Sequence, residues 1–247
     1  MSDFDRNVAA RGGFADRAAT VDAGLRAYML RVYNYMAAAV ALTGVVAWVT
    51  FNQAVTASGT LTPFGHMIFS GPAMMVLMLG TLGLVFFISA RINSLQYTTA
   101  FTLFMVYAAL LGVTLAPIFL VYTGTSITRV FFISAASFGA LSLYGYTTRT
   151  DLSPIGSFLI MGLFGIIIAS LVNIFLASSA LQFAISVIGV VVFAGLTAWD
   201  TQRIKEMYNS MDDDGAMGRK AIMGALSLYL DFINLFLMML RLFGDRR

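Results

Sequence analysis

The chain has 247 residues, 59% of them apolar and 11% charged, with one histidine, no cysteine and a formal charge of +3. Soluble domains carry about 25% charged residues, so this composition and a mean hydropathy of +0.84 describe a polytopic, all-α membrane protein. The missing cysteines exclude disulfides, iron–sulfur clusters and thiolate catalysis. A single histidine argues against zinc or di-iron chemistry, and the modest positive charge reads as basic flanks of membrane helices, in contact with lipid, not as a nucleic-acid surface.

Residues 1–27 are polar and mixed in charge, and are expected to form a flexible cytoplasmic tail ahead of a membrane domain at 28–247. The first apolar segment follows at about 30–52 and is long enough to direct insertion. A linker, FNQAVTASGTLTPFG, carries His66, read as a solvated loop residue, and leads to a second segment at about 68–90 that ends on Arg91. The third, at about 97–119, contains Gly112 and Pro117, a pair suited to bending a helix. Segments at about 127–147 and 155–176 are separated by TRTDLSP, and the sixth, at about 181–203, has Asp200 near its end. A polar loop, KEMYNSMDDDGAMGRK, precedes the seventh segment, at about 219–243; its DDDG lacks the rest of a calcium loop and reads as a solvated turn. Trp48 and Trp199 read as interfacial anchors.

Counting Lys and Arg in alternate loops puts eleven of the fifteen on one side; Arg129, Arg241, Arg246 and Arg247 are the remainder. The positive-inside rule then places the amino terminus in the cytoplasm and has the seventh segment cross.

Asp231 is the one charge in the run AIMGALSLYLDFINLFLMML. Twenty helical residues span about 30 Å, so this carboxyl lies at membrane depth, where a charge costs at least about 2.5 kcal/mol and usually faces a bundle interior or wet cavity. Gly224, Ser227, Asp231, Asn234 and Arg241 share a sector of about 100° on that helix. On the sixth helix Ser186, Gly189, Thr197 and Asp200 form a similar stripe. Two acids brought close in a poorly solvated site compete for one proton. Such a pair can hold a hard cation such as calcium weakly, latch two helices in a pH-sensitive way, act as a catalytic dyad, or merely fix packing.

Three motifs identify a resemblance. SLYLDFINLFLMMLRLFG (227–244) is similar to the carboxyl-terminal signature of the Bax inhibitor-1 family, AWDTQRIK (198–205) to a second marker and YAALLGVTLAPI (107–118) to a third. The resemblance spans residues 31–244 and implies seven helices, six surrounding a central seventh. It also implies a pH-sensitive calcium leak channel of a bacterial inner membrane, not an enzyme, with no cofactor and calcium as the transported ion. Asp200 and Asp231 match that family's proton-responsive pair, which changes its hold on an arginine of the second helix. Arg91 is the candidate for that latch, with Ser227, Asn234 and Thr197 as a polar stripe along the pore. The acidic residue some members carry in the second helix is absent from GPAMMVLMLGTLGLVFF.

Other classes fit less well. An intramembrane aspartyl protease needs Gly-x-Gly-Asp and a later Pro-Ala-Leu, whereas Asp231 follows Leu-Tyr-Leu. A retinal protein needs a buried lysine, and Lys205 and Lys220 both flank one loop. A rhomboid-type protease needs serine and histidine within helices. The competing role is a membrane adaptor that restrains a quality-control protease through the amino-terminal tail.

Overall fold

The computed structural model describes the backbone of residues 3–69 and 71–247, and the side chains of 22–69 and 71–247. Nine α-helices occur among them: α1 (Asp3–Ala54), α2 (Pro63–Phe69), α3 (Pro72–Arg91), α4 (Tyr97–Leu115), α5 (Ile118–Val121), α6 (Gly124–Thr147), α7 (Ser153–Leu176), α8 (Ser179–Glu206) and α9 (Asp214–Phe243). Seven spans are long and apolar enough to cross a membrane: 22–54 in α1, 97–121 across α4 and α5, and the whole of α3, α6, α7, α8 and α9. The expected tail overlaps α1, whose backbone is helical from Asp3; its side chains before residue 22 lie outside the described set. His66 falls on α2 rather than in a loop.

The helix boundaries follow from local chemistry. Pro72 and Pro154 sit in the first turns of α3 and α7, where the missing N–H costs nothing. Thr123, Ser178 and Asp213 cap α6, α8 and α9 by accepting from the backbone N–H three residues on. Asp212 pairs with Lys220 at 2.7 Å, so DDDG is a capping and pairing element, not a simple solvated turn. Pro117 ends one helix and starts another, separating α4 from α5. Gly112 serves a different purpose: a Cβ there would stand 2.7 Å from the Thr43 carbonyl oxygen, so it lets α1 and α4 touch.

The last helix is the core. In α9, 72% of the most apolar window is buried, against 11–39% in the other six spans. It packs directly on α1, α4, α6 and α8, while α3 leans on α4 and α7 on α8. Phe232 and Phe236 meet Phe131 of α6 edge-on at 5.6 and 6.0 Å, and Phe138 meets Phe232 at 5.6 Å. On the opposite flank Tyr229 lies edge-on to Phe104 and Tyr107 of α4. Its hydroxyl bonds Thr43 of α1 at 2.6 Å, and Thr43 in turn donates to the Ala108 carbonyl at 2.9 Å. Buried hydroxyls in a lipid-bounded bundle need such partners.

At about 1.5 Å per residue, the 30 residues of α9 reach about 45 Å, more than a hydrocarbon core. Its far end is held beside the start of α6, with Arg129 paired to Asp245 at 3.0 Å and the Arg247 N–H donating to the Val121 carbonyl at 2.9 Å. The seventh span therefore crosses the whole bundle and does not turn back.

Gly145 of α6 tests this packing, because a Cβ there would lie 2.1 Å from the Ala198 carbonyl oxygen of α8. Gly145→Ala is expected to lower stability by at least about 1–3 kcal/mol, as forced separation of packed elements does. Gly139→Ala, on the same helix but facing open space, is expected to be neutral or to gain up to about 1 kcal/mol from helix propensity. Thermal melts of the two detergent-solubilised variants compare these directly.

Candidate functional site

Asp231 occupies the middle of α9 and is 6% exposed. Asp200 lies six residues before the end of α8 and is half-buried. The two helices pack along their length, with Gly224 of α9 set against Ile204 and Gly189 of α8 against Met238. Small residues on the paired stripes remove bulk from the contact, and the two carboxyls come within hydrogen-bonding reach of each other. Asp231 Oδ2 is buried with no hydrogen-bond partner among the described residues. An unpartnered buried acceptor costs about 1–3 kcal/mol, more when charged, and a proton held between the two carboxyls relieves that cost along with their mutual repulsion.

Both acids line a cavity of about 810 Å³ enclosed by α3, α4, α7, α8 and α9. The cavity lies between α9 and the helices α3 and α7, whereas α1, α4, α6 and α8 contact α9 directly. Its wall is mostly Leu, Ile, Val and Met. The polar exceptions are Thr81, Tyr107 and Ser170, the two acids, Arg203, Ser227, Asn234 and Arg241. On α9, Ser227, Asp231, Asn234 and Arg241 all reach the cavity, as their common helical sector requires. From Ser227 to Arg241 the stripe runs fourteen residues, about 21 Å of helix. Asn234 donates its amide N–H to the Leu230 carbonyl at 2.8 Å, so it offers its side-chain oxygen to the cavity.

Two expected residues are placed elsewhere. Thr197 is fully buried, its hydroxyl donates to the Phe193 carbonyl of its own helix at 2.8 Å, and it is not among the residues lining the cavity. Arg91 is exposed at the end of α3 and also lies off the cavity wall. The arginine beside the pair is Arg203, one helical turn beyond Asp200, close enough to act electrostatically on its carboxyl and also on the cavity wall. Its guanidinium stacks 5.5 Å from the centre of the Trp199 ring. Trp199 in turn needs Gly156, where a Cβ would collide with the indole at 2.2 Å. Trp199 is thus a cavity-lining residue that positions Arg203, whereas Trp48, 58% exposed on α1, keeps an outward face. The i, i+3 spacing of Asp200 and Arg203, with Trp199 between them, was the available signal for this trio.

Among the described residues no group of three or more His, Cys, Asp or Glu side chains stands together. Asp200, Asp231, Ser227 and Asn234 all lie on the wall of the same cavity.

The family model described as "Inhibitor of apoptosis-promoting Bax1" matches residues 25–247. The chain is 50% identical over 228 residues to the protein RP147 of Rickettsia prowazekii, covering 92% of this chain and 93% of that one. It is 47% identical over 228 residues to the inner membrane protein YbhL of Escherichia coli, with 91% and 94% covered. A protein of Caulobacter vibrioides is 44% identical over 250 aligned residues, which take in the full length of both.

Two adjacent carboxyls, one with an unpartnered oxygen, are expected to make stability respond to protons. In Asp231→Asn the amide can donate to Asp200 without titrating. The melting temperature of the wild type is expected to vary with pH between acid and neutral solution, and that of Asp231→Asn to vary much less. Equal slopes in the two proteins would show that the carboxyls do not titrate as a unit.

Proposed function

The chain belongs to the Bax inhibitor-1 family, and from that premise we propose that it is a pH-sensitive calcium leak channel of the bacterial inner membrane, gated by Asp200 and Asp231. The observation that carries this reading is the pair itself: two carboxyls within hydrogen-bonding reach, one of them with an unpartnered oxygen, on the wall of a large cavity beside the central helix. The excess of Lys and Arg around Arg91, Arg149, Lys205 and Lys220 supports a cytoplasmic amino terminus.

The mechanism follows from charge. Asp200 in its ionised form attracts Arg203 and keeps the guanidinium at the mouth of the cavity nearest the α8–α9 loop. A cation approaching from that side meets a positive group before it meets the acids. Protonation of the pair cancels the attraction, frees Arg203 to turn outward, and opens the route past Ser227 and Asn234. Two carboxyls hold calcium far more weakly than the six to eight oxygens of a storage site, a condition for release as well as entry. Arg203 here takes the latch role expected of Arg91.

Reconstitution into vesicles loaded with a calcium-sensitive dye tests the scheme. Influx through the wild type is expected to rise as pH falls. Asp200→Asn and Asp231→Asn should each flatten that response, and Arg203→Gln should leak at neutral pH as the wild type does in acid. Unaltered, pH-dependent flux in both aspartate variants removes the pair from gating. Arg91→Gln with an Arg203→Gln phenotype would return the latch to α3.

A further inference from the structure

A second cavity, of about 650 Å³, lies on the opposite flank between α1 and α6. Both helices pack on α8 and α9, and the space between them is left open. Its walls are Met29 and Leu30 of α1 with Phe138, Gly139, Leu143 and Tyr146 of α6. Leu30 and Leu143 are exposed at its lips, so the groove faces outward to the membrane. A Cβ at Gly139 would meet nothing within 4 Å, which leaves the middle of the α6 wall hollow.

The polar atoms in the floor are satisfied internally. The Tyr33 hydroxyl bonds that of Ser142 at 2.7 Å, and Ser142 bonds Thr201 of α8 at 2.9 Å. These hydroxyls are spent on one another, and the groove presents an apolar surface to whatever fills it. Its charge is confined to one end. Arg26, exposed on α1, lines the groove seven residues from Tyr33, about 10 Å along the helix and toward the α8–α9 loop. At the same end Lys205 donates to the carbonyl of Tyr146 at 2.8 Å. The groove is therefore a hydrocarbon slot within the depth of the spans, capped by cations where the spans end.

We propose that this groove is a binding site for one anionic glycerophospholipid. An acyl chain lies along Leu30, Phe138, Gly139 and Leu143, and the phosphodiester meets Arg26. A seven-span membrane protein meets lipid all over its surface; at this groove an apolar hollow on α6 and the exposed Arg26 at its end stand together. Anionic lipids near a basic side chain gain about 1 kcal/mol per residue, close to fivefold in affinity, and an apolar cavity of this size accommodates a flexible hydrocarbon ligand.

Native mass spectrometry of the full-length protein, delipidated in detergent and titrated with phosphatidylglycerol or phosphatidylcholine, tests this. One phosphatidylglycerol is expected to bind more tightly than any phosphatidylcholine, and inorganic phosphate is not expected to displace it. Arg26→Gln should weaken phosphatidylglycerol about fivefold and leave phosphatidylcholine unchanged. Gly139→Leu, whose Cβ would meet nothing within 4 Å, puts bulk into the hollow and should weaken both. Gly165→Leu on α7, where a Cβ also meets open space, should weaken neither. Identical titrations of wild type and Gly139→Leu would mean annular lipid only and overturn the site. A phosphatidylglycerol affinity untouched by Arg26→Gln would overturn headgroup recognition. Neither outcome bears on calcium flux, so this proposal and the channel reading stand or fall separately.

Discussion

A polar side chain at membrane depth has no water to fall back on, and most of this architecture can be traced to that constraint. Two such groups on the central helix, Tyr229 and Asp231, are solved in different ways. Tyr229 reaches Thr43, and Thr43 reaches a backbone carbonyl, so three helices are tied by a chain of fully used donors. Asp231 meets another carboxyl, and neither can donate unless a proton is supplied from outside. The first arrangement needs no carboxyl; the second is built from two.

The cavity beside the acids arises from where the outer helices do not touch. α4 and α8 press against the core, whereas α3 and α7 rest on those helices and stand off from α9. Trp199 sits in the resulting gap, its ring seated where α7 has only Gly156. Large aliphatic side chains make most of the wall, so the few polar groups are conspicuous and charge is set at defined levels. Arg203 lies toward one face, the acids in between, and Arg241 toward the other face. Opposite signs thus alternate along the cavity wall.

The seven spans, the buried seventh and the α9 polar stripe were legible because each depends on local information: apolar length, one charge in an uncharged run, and a 3.6-residue period. The Asp200–Asp231 encounter was legible as a possibility, since both stripes carry small residues. Three things were not. Thr197 shares a helical sector with Asp200, but a threonine can satisfy itself on its own backbone and turn away from the cavity. Arg91 ends the right helix, yet where a helix end lies relative to a cavity depends on how far α3 stands from the core, which one chain's sequence does not record. Trp199 reads as an anchor because it stands near the end of an apolar segment, and its neighbour across the packing, Gly156, is forty-three residues away in sequence.

The enclosure of α9 also has a consequence for how the bundle comes into being. The other six spans precede it in the chain and are therefore made first, yet four of them, α1, α4, α6 and α8, bury part of their surface against it. Until it threads between them, α1, α4, α6 and α8 have apolar flanks and hydroxyls waiting for partners, with only one another and the lipid for company. The pairs α1–α4, α6–α8 and α7–α8 can dock without it, and the last span then closes the bundle as a keystone closes an arch.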